Sequence, residues 1–546
     1  MRKKHILLRI SGVALALAML LQTAPAAAFA KGMGDDVRKL KVAVISDIHV
    51  IPPNMLGDNP DAASAIASDR KMFVESSAIL DSAIAEIIAQ SPDVVIIPGD
   101  LTKDGELASH IYVADKLAEI TAALPGVKIY VINGNHDINN PHAFDYSGGS
   151  AVPVKSADAG EFREIYAGFG YGDAMSEYYT PSVGQAGSNS YAARPAEGFT
   201  VIAIDACKYS ADATRSGLDS QEHGGRISDE LLSWVLQKAM EANERGDVVI
   251  AFMHHGLAPH FSLEPALLAD FLADNYIEVS EALADAGVRY VFTGHMHAQN
   301  IVSITSAAGN TLYDIETGSL ITYPCPVRFA VFSDNSRPGI KRAVTVDIVT
   351  TLIKEVDFTD PSTGGLIDDL TQYSYETSLD KETVKGLITG VVFGGFMPAG
   401  GILDILLPAG GILDTLLPAL VDMPLFTDDD GAVYDFFDFA KYVYLAHLGG
   451  DAVSQPWVEA IIHWLQSGDF PTETAGFLSD ILLRGPGGVA FDAILSDSLV
   501  IGLCAMVAEL AISMIEGSGS GVGDNNARLI RSAAKAAKTA KAAKGS

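Results

Sequence analysis

Val94-Val95-Ile96-Ile97 has no polar position. Side chains along a strand alternate between two faces, so a run that is apolar throughout needs cover on both. The run 289–293, Arg-Tyr-Val-Phe-Thr, is also largely apolar, and 248–253 reads Val-Val-Ile-Ala-Phe-Met. Amphipathic stretches separate such runs. Within 73–89, Ile79, Leu80, Ile84, Ile87 and Ile88 share one helical face. The patterns predict strands at 41–46, 94–98, 128–133, 199–205, 248–253 and 289–293, and helices at 73–89, 110–124, 229–244 and 276–286. Strands alternating with helices specify an α/β layered fold. Further strands at 301–305, 311–316, 329–333 and 343–351 follow without long helices. Their closeness predicts an antiparallel portion and therefore mixed sheets.

Five of the expected strands end in metal-binding residue types. Asp47 and His49 follow the first, Asp100 the second, Asn135 and His136 the third, His254 and His255 the run 248–253, and His295 and His297 the run 289–293. Side chains just past the carboxyl ends of α/β strands converge on one edge of the sheet, where ligands bind. Six of the 13 histidines fall in these short blocks, which argues for one shared site. Carboxylate, amide and imidazole donors without cysteine suit hard-to-borderline metal ions such as Mn, Fe or Zn. Asp47, His49, Asp100, Asn135, His254, His295 and His297 outnumber what one ion needs. If Asp100 bridges, each of two ions receives four ligands. A pair of ions about 3.5–4 Å apart can hold a bridging hydroxide and clamp a phosphoryl group for in-line displacement.

The ordered set Asp47-x-His49, Gly99-Asp100, Gly134-Asn135-His136-Asp137, His254 and Gly294-His295-x-His297 resembles the calcineurin-like metallophosphoesterase superfamily. The resemblance covers roughly residues 40–350. It implies a metallophosphoesterase β-sandwich of two mixed sheets flanked by helices. It also implies two divalent or trivalent ions, one held by Asp47, His49, Asp100 and His297, the other by Asp100, Asn135, His254 and His295. His254 is preferred over His255 because the family ligand is the first of such a pair. His136 would be the histidine that assists the leaving oxygen without binding metal, with Asp137 orienting it. The blocks 99–106 and 294–299 resemble exported bacterial cyclic-nucleotide phosphodiesterase-type members. The implied activity is hydrolysis of a small phosphodiester. The alternatives are a phosphomonoesterase or nucleotidase, or an envelope-binding protein whose C-terminal region carries the role. The purple acid phosphatase branch, which has a Tyr shortly after its Gly-Asp block, is disfavoured by Leu101-Thr102-Lys103.

The rest of the chain sets boundaries. Arg2, Lys3, Lys4 and Arg9, an apolar stretch over 10–21, and Ala28-Phe29-Ala30 form a secretory signal pattern, so residues 1–30 are expected to be removed on export. Residues 38–355 are expected to form the catalytic domain, 358–516 a mainly helical accessory region, and 517–546 a Gly/Ser linker with a basic tail. A short repeat relates 400–409 to 410–419. Helices are expected at 436–448, 458–466 and 499–515. The last reads as a buried core helix because Glu509 interrupts a segment at the lower edge of spanning length. The tail from Ala527 to Ser546 carries Arg528, Arg531, Lys535, Lys538, Lys541 and Lys544 and no acid, which reads as a solvated helix or as an electrostatic contact to an anionic envelope surface. A net charge of −31 argues against a nucleic-acid polymer as partner and leaves a small phosphoester as the expected one. Cys207, Cys325 and Cys504 are expected to be buried thiols. His142 and His260 are expected on surface loops, and His110, His223, His447 and His463 outside the site.

Overall fold

A computed structural model describes residues 37–67, 69–172, 176–209, 223–335, 344–360, 363–379, 381, 421–422, 424–427, 431–450, 461 and 526–530. In chain order the strands are β1 (Arg38–Val44), β2 (Val94–Ile97), β3 (Lys128–Val131), β4 (Phe144–Asp145), β5 (Val152–Pro153), β6 (Glu177–Tyr178), β7 (Tyr191–Ala196), β8 (Phe199–Ile204) and β9 (Val248–Met253). They continue with β10 (Tyr290–Thr293), β11 (Asn300–Thr305), β12 (Thr311–Glu316), β13 (Pro326–Asp334), β14 (Val344–Leu352), β15 (Pro424–Thr427), β16 (Val433–Asp435) and β17 (Asn526–Ile530). The α-helices are α1 (Pro60–Ala67), α2 (Ser76–Gln90), α3 (Leu107–Ala123), α4 (Ala159–Ile165), α5 (Asp229–Arg245), α6 (Glu264–Leu267), α7 (Tyr276–Asp285), α8 (Leu370–Thr377) and α9 (Phe436–Gly449).

Two mixed sheets face each other. One has the order β17-β14-β13-β1-β2-β3 and the other β11-β12-β10-β9-β8-β7-β6. β1, β2 and β3 are mutually parallel, as are β8, β9, β10 and β12. The outer strands β13, β14, β11 and β7 pair antiparallel. The fully apolar runs have a direct cause. Val94 and Ile96 enter the core between the sheets, while Val95 and Ile97 enter a second core that also holds Ile79, Ile84 and Ile87 of α2 and Val113 and Leu117 of α3. In β9, Val248, Ile250 and Phe252 face the other sheet, whereas Val249, Ala251 and Met253 share a core with Leu231 and Val235 of α5 and Leu283 of α7. The architecture is therefore the expected β-sandwich flanked by helices.

Several features differ from the sequence reading. Asn526–Ile530 is an edge strand antiparallel to β14, with Ala527 and Leu529 in the inter-sheet core. It was expected at the junction of a linker and a solvated tail. The basic residues nearby masked a two-residue apolar alternation. Among its described residues, the region expected to be mainly helical contributes α8 and α9, accompanied by the short β15–β16 hairpin. These helices dock on the catalytic domain. The Tyr373 hydroxyl of α8 donates to Glu75 Oε1 at 2.6 Å, and the Gln299 N–H donates to the Leu448 carbonyl of α9 at 2.9 Å. Cys207 and Cys325 are buried free thiols. No helix among the described residues is long and apolar enough to cross a membrane. The expected signal peptide, the 400–419 repeat, the helix at 499–515, most of the expected helix at 458–466, Cys504 and the tail beyond 530 lie outside the described residues.

Candidate metal centre

The site forms where β1, β2, β3, β9 and β10 end. All are parallel members of their sheets, so their following loops meet at one edge of the sandwich. Backbone hydrogen bonds stitch the loops together. Asp47 N–H donates to the Gly99 carbonyl at 3.2 Å, His49 N–H to the Asp100 carbonyl at 3.0 Å, and Gly294 N–H to the His254 carbonyl at 3.0 Å. These turns are tight. Eight non-glycine described residues have positive φ, and five of them are Asp47, His49, Asp100, His295 and His297. Each such conformation costs about 1–3 kcal/mol and persists only where surrounding structure enforces it. Gly294-His295-Met296-His297 is accordingly a left-handed loop, not a strand extension, and strand alternation does not orient its histidines.

The structure brings all seven expected ligands together. Asp100 sits at the centre, its Oδ2 3.4 Å from His49 Nε2 and 3.2 Å from His254 Nε2. Its Oδ1 accepts the His136 N–H at 3.0 Å, which fixes the carboxylate plane. On one side, His297 Nε2 lies 3.3 Å from Asp47 Oδ1 and 3.3 Å from His49 Nε2. On the other, His254 Nε2 lies 2.8 Å from Asn135 Oδ1 and 3.2 Å from His295 Nδ1. Asp47/His49/His297 and Asp100/His254/His295 each place donor atoms within 4.8 Å of one another, and His49/Asp100/His136 form a third such group.

Paired imidazole nitrogens at 3.2–3.3 Å, both turned toward carboxylates, are what a cation between them satisfies. Supporting hydrogen bonds select the inward nitrogen. His254 Nδ1 bonds the Pro98 carbonyl at 3.0 Å, and His295 Nε2 the His223 carbonyl at 2.9 Å. That leaves His254 Nε2 and His295 Nδ1 to face the centre, the usual arrangement for ligating histidines. Asp47 is held by the Ser46 hydroxyl at 2.5 Å and the His295 N–H at 3.1 Å. Burial disfavours charge on every group here. It holds His49 and His295 well below the ordinary imidazole pKa. At His254 the Asp100 carboxylate overrides burial and lifts the pKa to about 9. Asp100 itself, despite burial, is held well below the usual carboxylate range by His254, His136 and His49. The residues thus fit two ions that share Asp100.

His255 belongs to none of these three groups, and its ring lies against His295, centroids 4.6 Å apart. His142 is exposed, as expected. His260 is not on the surface. It is buried, with Nε2 3.1 Å from Glu316 Oε2, and that carboxylate overrides burial to raise its pKa to about 10. His110, also buried, bonds the Asp137 carbonyl through Nε2 at 2.8 Å.

The orienting partner of His136 differs from the sequence reading. Its Nδ1 lies 3.1 Å from Asp104 Oδ1, and Asp104 is further bonded to Lys103. Asp137 turns away and gathers backbone donors instead: Leu101 N–H at 2.9 Å, Thr102 N–H at 3.1 Å and Gly134 N–H at 2.8 Å. The family resemblance implied Asp137, but its carboxylate closes the two loops that carry Asp100 and Asn135. Asp104 was visible four residues after Asp100, yet nothing in a linear sequence places it beside residue 136.

Gly134 shows how closely these loops approach. A Cβ there would stand 2.1 Å from Asp100 Oδ1 and 2.5 Å from Asp100 N. Gly134→Ala is therefore expected to displace the shared carboxylate. Metal analysis of the purified variant should show fewer ions per chain, and two ions retained with full activity would refute this packing.

Such a buried Asp/Asn/His cluster at one edge of a helix-flanked β-sandwich is a candidate two-metal centre. Residues 40–299 match the family model for calcineurin-like phosphoesterases. They form a calcineurin-like phosphoesterase domain of the metallophosphoesterase superfamily, and this family supports metal-dependent phosphoester hydrolysis as the activity of that domain. Among solved structures it is similar to a dimetal phosphatase from Danio rerio, at 16% identity and TM-score 0.37, over 58% of this chain and 99% of that one. No curated protein matches the chain.

Proposed function

We propose that this chain is an exported, two-metal phosphoesterase that hydrolyses a small phosphodiester, with cyclic nucleotides the first substrates to test. The observation that carries the two-metal reading is Asp100 Oδ2, set 3.4 Å from His49 Nε2 and 3.2 Å from His254 Nε2. Asp47, His49, Asp100 and His297 would hold one ion, and Asp100, Asn135, His254 and His295 the other. When bound, two such ions supply Lewis acidity toward the phosphoryl oxygens and a nucleophile drawn from water at neutral pH.

The chain's own groups provide the rest. The side chain of His136 is 19% exposed, so it can meet a substrate from the solvent side. Burial opposes its protonation, but Asp100 and the bond to Asp104 raise its pKa. The protonated ring can hydrogen-bond the phosphoryl group and give its proton to the departing alkoxide. Asp104 keeps Nδ1 engaged and so leaves Nε2 for the substrate. Asp137 holds the loops that set Asp100 and Asn135 in register. The diester preference and export rest on the resemblance of the 99–106 and 294–299 blocks and on the N-terminal pattern. A basic tail suited to an anionic envelope surface agrees with export.

The test uses residues 31–546 loaded with Mn²⁺. Hydrolysis of bis(4-nitrophenyl) phosphate is compared with that of 4-nitrophenyl phosphate, then 2′,3′- and 3′,5′-cyclic nucleotides are compared. The diester is expected to have the higher kcat/KM, and a higher value for the monoester would replace this reading with a phosphomonoesterase. N-terminal sequencing of secreted protein should begin at Lys31, and retention of Met1 would contradict export.

A further inference from the structure

Beside the metal centre lies a lysine with no role in ligation. The segment 69–76 is built against the metal loops. Met72 N–H donates to the Ile321 carbonyl at 2.9 Å, Leu320 N–H donates to the Ser46 carbonyl at 3.0 Å, and Ile51 N–H donates to Ser76 Oγ at 3.2 Å. Lys71 Nζ is fixed by Asp69 Oδ2 at 3.0 Å. Asp69 Oδ1 accepts the backbone N–H groups of Arg70 and Lys71 at 2.6 and 3.2 Å, so one carboxylate shapes the turn and aims the ammonium.

Two neighbours hold this segment in place. Phe73 lies beneath Lys71 Nζ, 5.7 Å from its centroid, and beneath Lys103 Nζ at 5.4 Å. Lys103 is the partner of Asp104, and Asp104 is the partner of His136, so Phe73 links Lys71 to the residues that hold the proton donor. On the far side, Arg70 stacks over Tyr444 of α9, 5.1 Å from the ring centroid. The Lys71 side chain is only 10% exposed, which is unusual for a lysine that serves solubility alone. An ammonium has three donors, and Asp69 takes one. In a chain of net charge −31, a fixed cation at the mouth is also what an anionic substrate requires locally.

We propose that Lys71 is a substrate-binding residue that donates to an anionic oxygen of the phosphoester, and that Tyr444 of the C-terminal helix is a positioning residue acting through Arg70. This deepens the phosphoesterase reading and rests on it for the identity of the substrate. It also gives the C-terminal region a task, since α9 would help shape the mouth of the site.

The test measures both catalysis and binding in the Mn²⁺-loaded full chain. With bis(4-nitrophenyl) phosphate, Lys71→Gln is expected to raise KM about tenfold, the scale of one charge-assisted hydrogen bond, with most of the loss in kcat/KM falling on KM. Lys71→Arg should recover most of it, and Tyr444→Leu should raise KM severalfold. Calorimetric titration with inorganic phosphate should show a matching loss of affinity in Lys71→Gln. If wild type binds phosphate through Lys71 but hydrolyses no phosphoester, the phosphoesterase reading fails and the Lys71 assignment stands. If Lys71→Gln keeps wild-type KM and phosphate affinity, or if Lys71→Arg is as impaired as Lys71→Gln, the assignment is overturned.

Discussion

Asp100→Ala is expected to abolish turnover, by at least about a thousandfold, and to lower bound metal from two ions per chain to one or none. The size follows from position. Groups that only support a ligand typically cost roughly 10–100-fold when removed. Asp100 is the carboxylate common to both ligand groups, and its Oδ2 faces His49 on one side and His254 on the other. Removing it leaves two sets of converging imidazoles without the charge between them. Asp100→Asn keeps the shape and the acceptor for the His136 N–H but loses the negative charge, so it should fold and still lose activity. Elemental analysis of purified protein beside an aryl phosphodiester assay checks both expectations. Two ions retained in Asp100→Ala would remove Asp100 from the shared position.

The second large effect belongs to His136. His136→Ala is expected to reduce kcat by about 10²–10⁴ while both ions stay bound. The loss should depend on the leaving group. A 4-nitrophenolate departs without a proton, so an aryl ester should lose least and an alkyl ester or cyclic nucleotide most. Asp104→Asn should follow the same trend with a smaller loss, because Asp104 Oδ1 orients the ring from 3.1 Å without touching substrate. Asp137→Asn should behave differently. It weakens the hold on the backbone N–H groups of Leu101, Thr102 and Gly134, so it should cost metal and stability before it costs leaving-group sensitivity. An equal loss for aryl and alkyl esters in His136→Ala would argue that the ring does not protonate the leaving oxygen.

The contrast between Asp104 and Asp137 marks where a linear reading stops. The ligand blocks were legible because strand ends are local features and parallel strands send them to one edge. The layered architecture was legible because β2 and β9 are apolar on both faces, and each face meets a separate core. Which carboxylate faces His136 depends on how two loops cross, and no spacing encodes that. Nor does spacing reveal the left-handed backbone at Asp47, His49, Asp100, His295 and His297, which aims the ligands in place of strand pleating. His260 looked like a loop histidine because its partner Glu316 is distant in sequence. β17 was obscured for a similar reason: its pairing partner β14 is remote, and the charges beside it dominated the composition.

The C-terminal helices also change meaning once placed. In sequence they form an accessory region apart from the catalytic domain. In the fold, Leu448 caps the strand that follows His297 through the Gln299 N–H, and Tyr444 lies under Arg70 beside the Asp69–Lys71 pair. Contacts of α9 therefore reach two segments that border the metal loops.

The most direct measurement of the central claim is a metal titration followed by activity. The chain is stripped with a chelator, reloaded with Mn²⁺ in steps, and assayed on bis(4-nitrophenyl) phosphate at each step. No hydrolysis is expected in stripped protein, and full activity is expected only as the second equivalent binds. Two bound equivalents with no hydrolysis of either the diester or 4-nitrophenyl phosphate would contradict that claim.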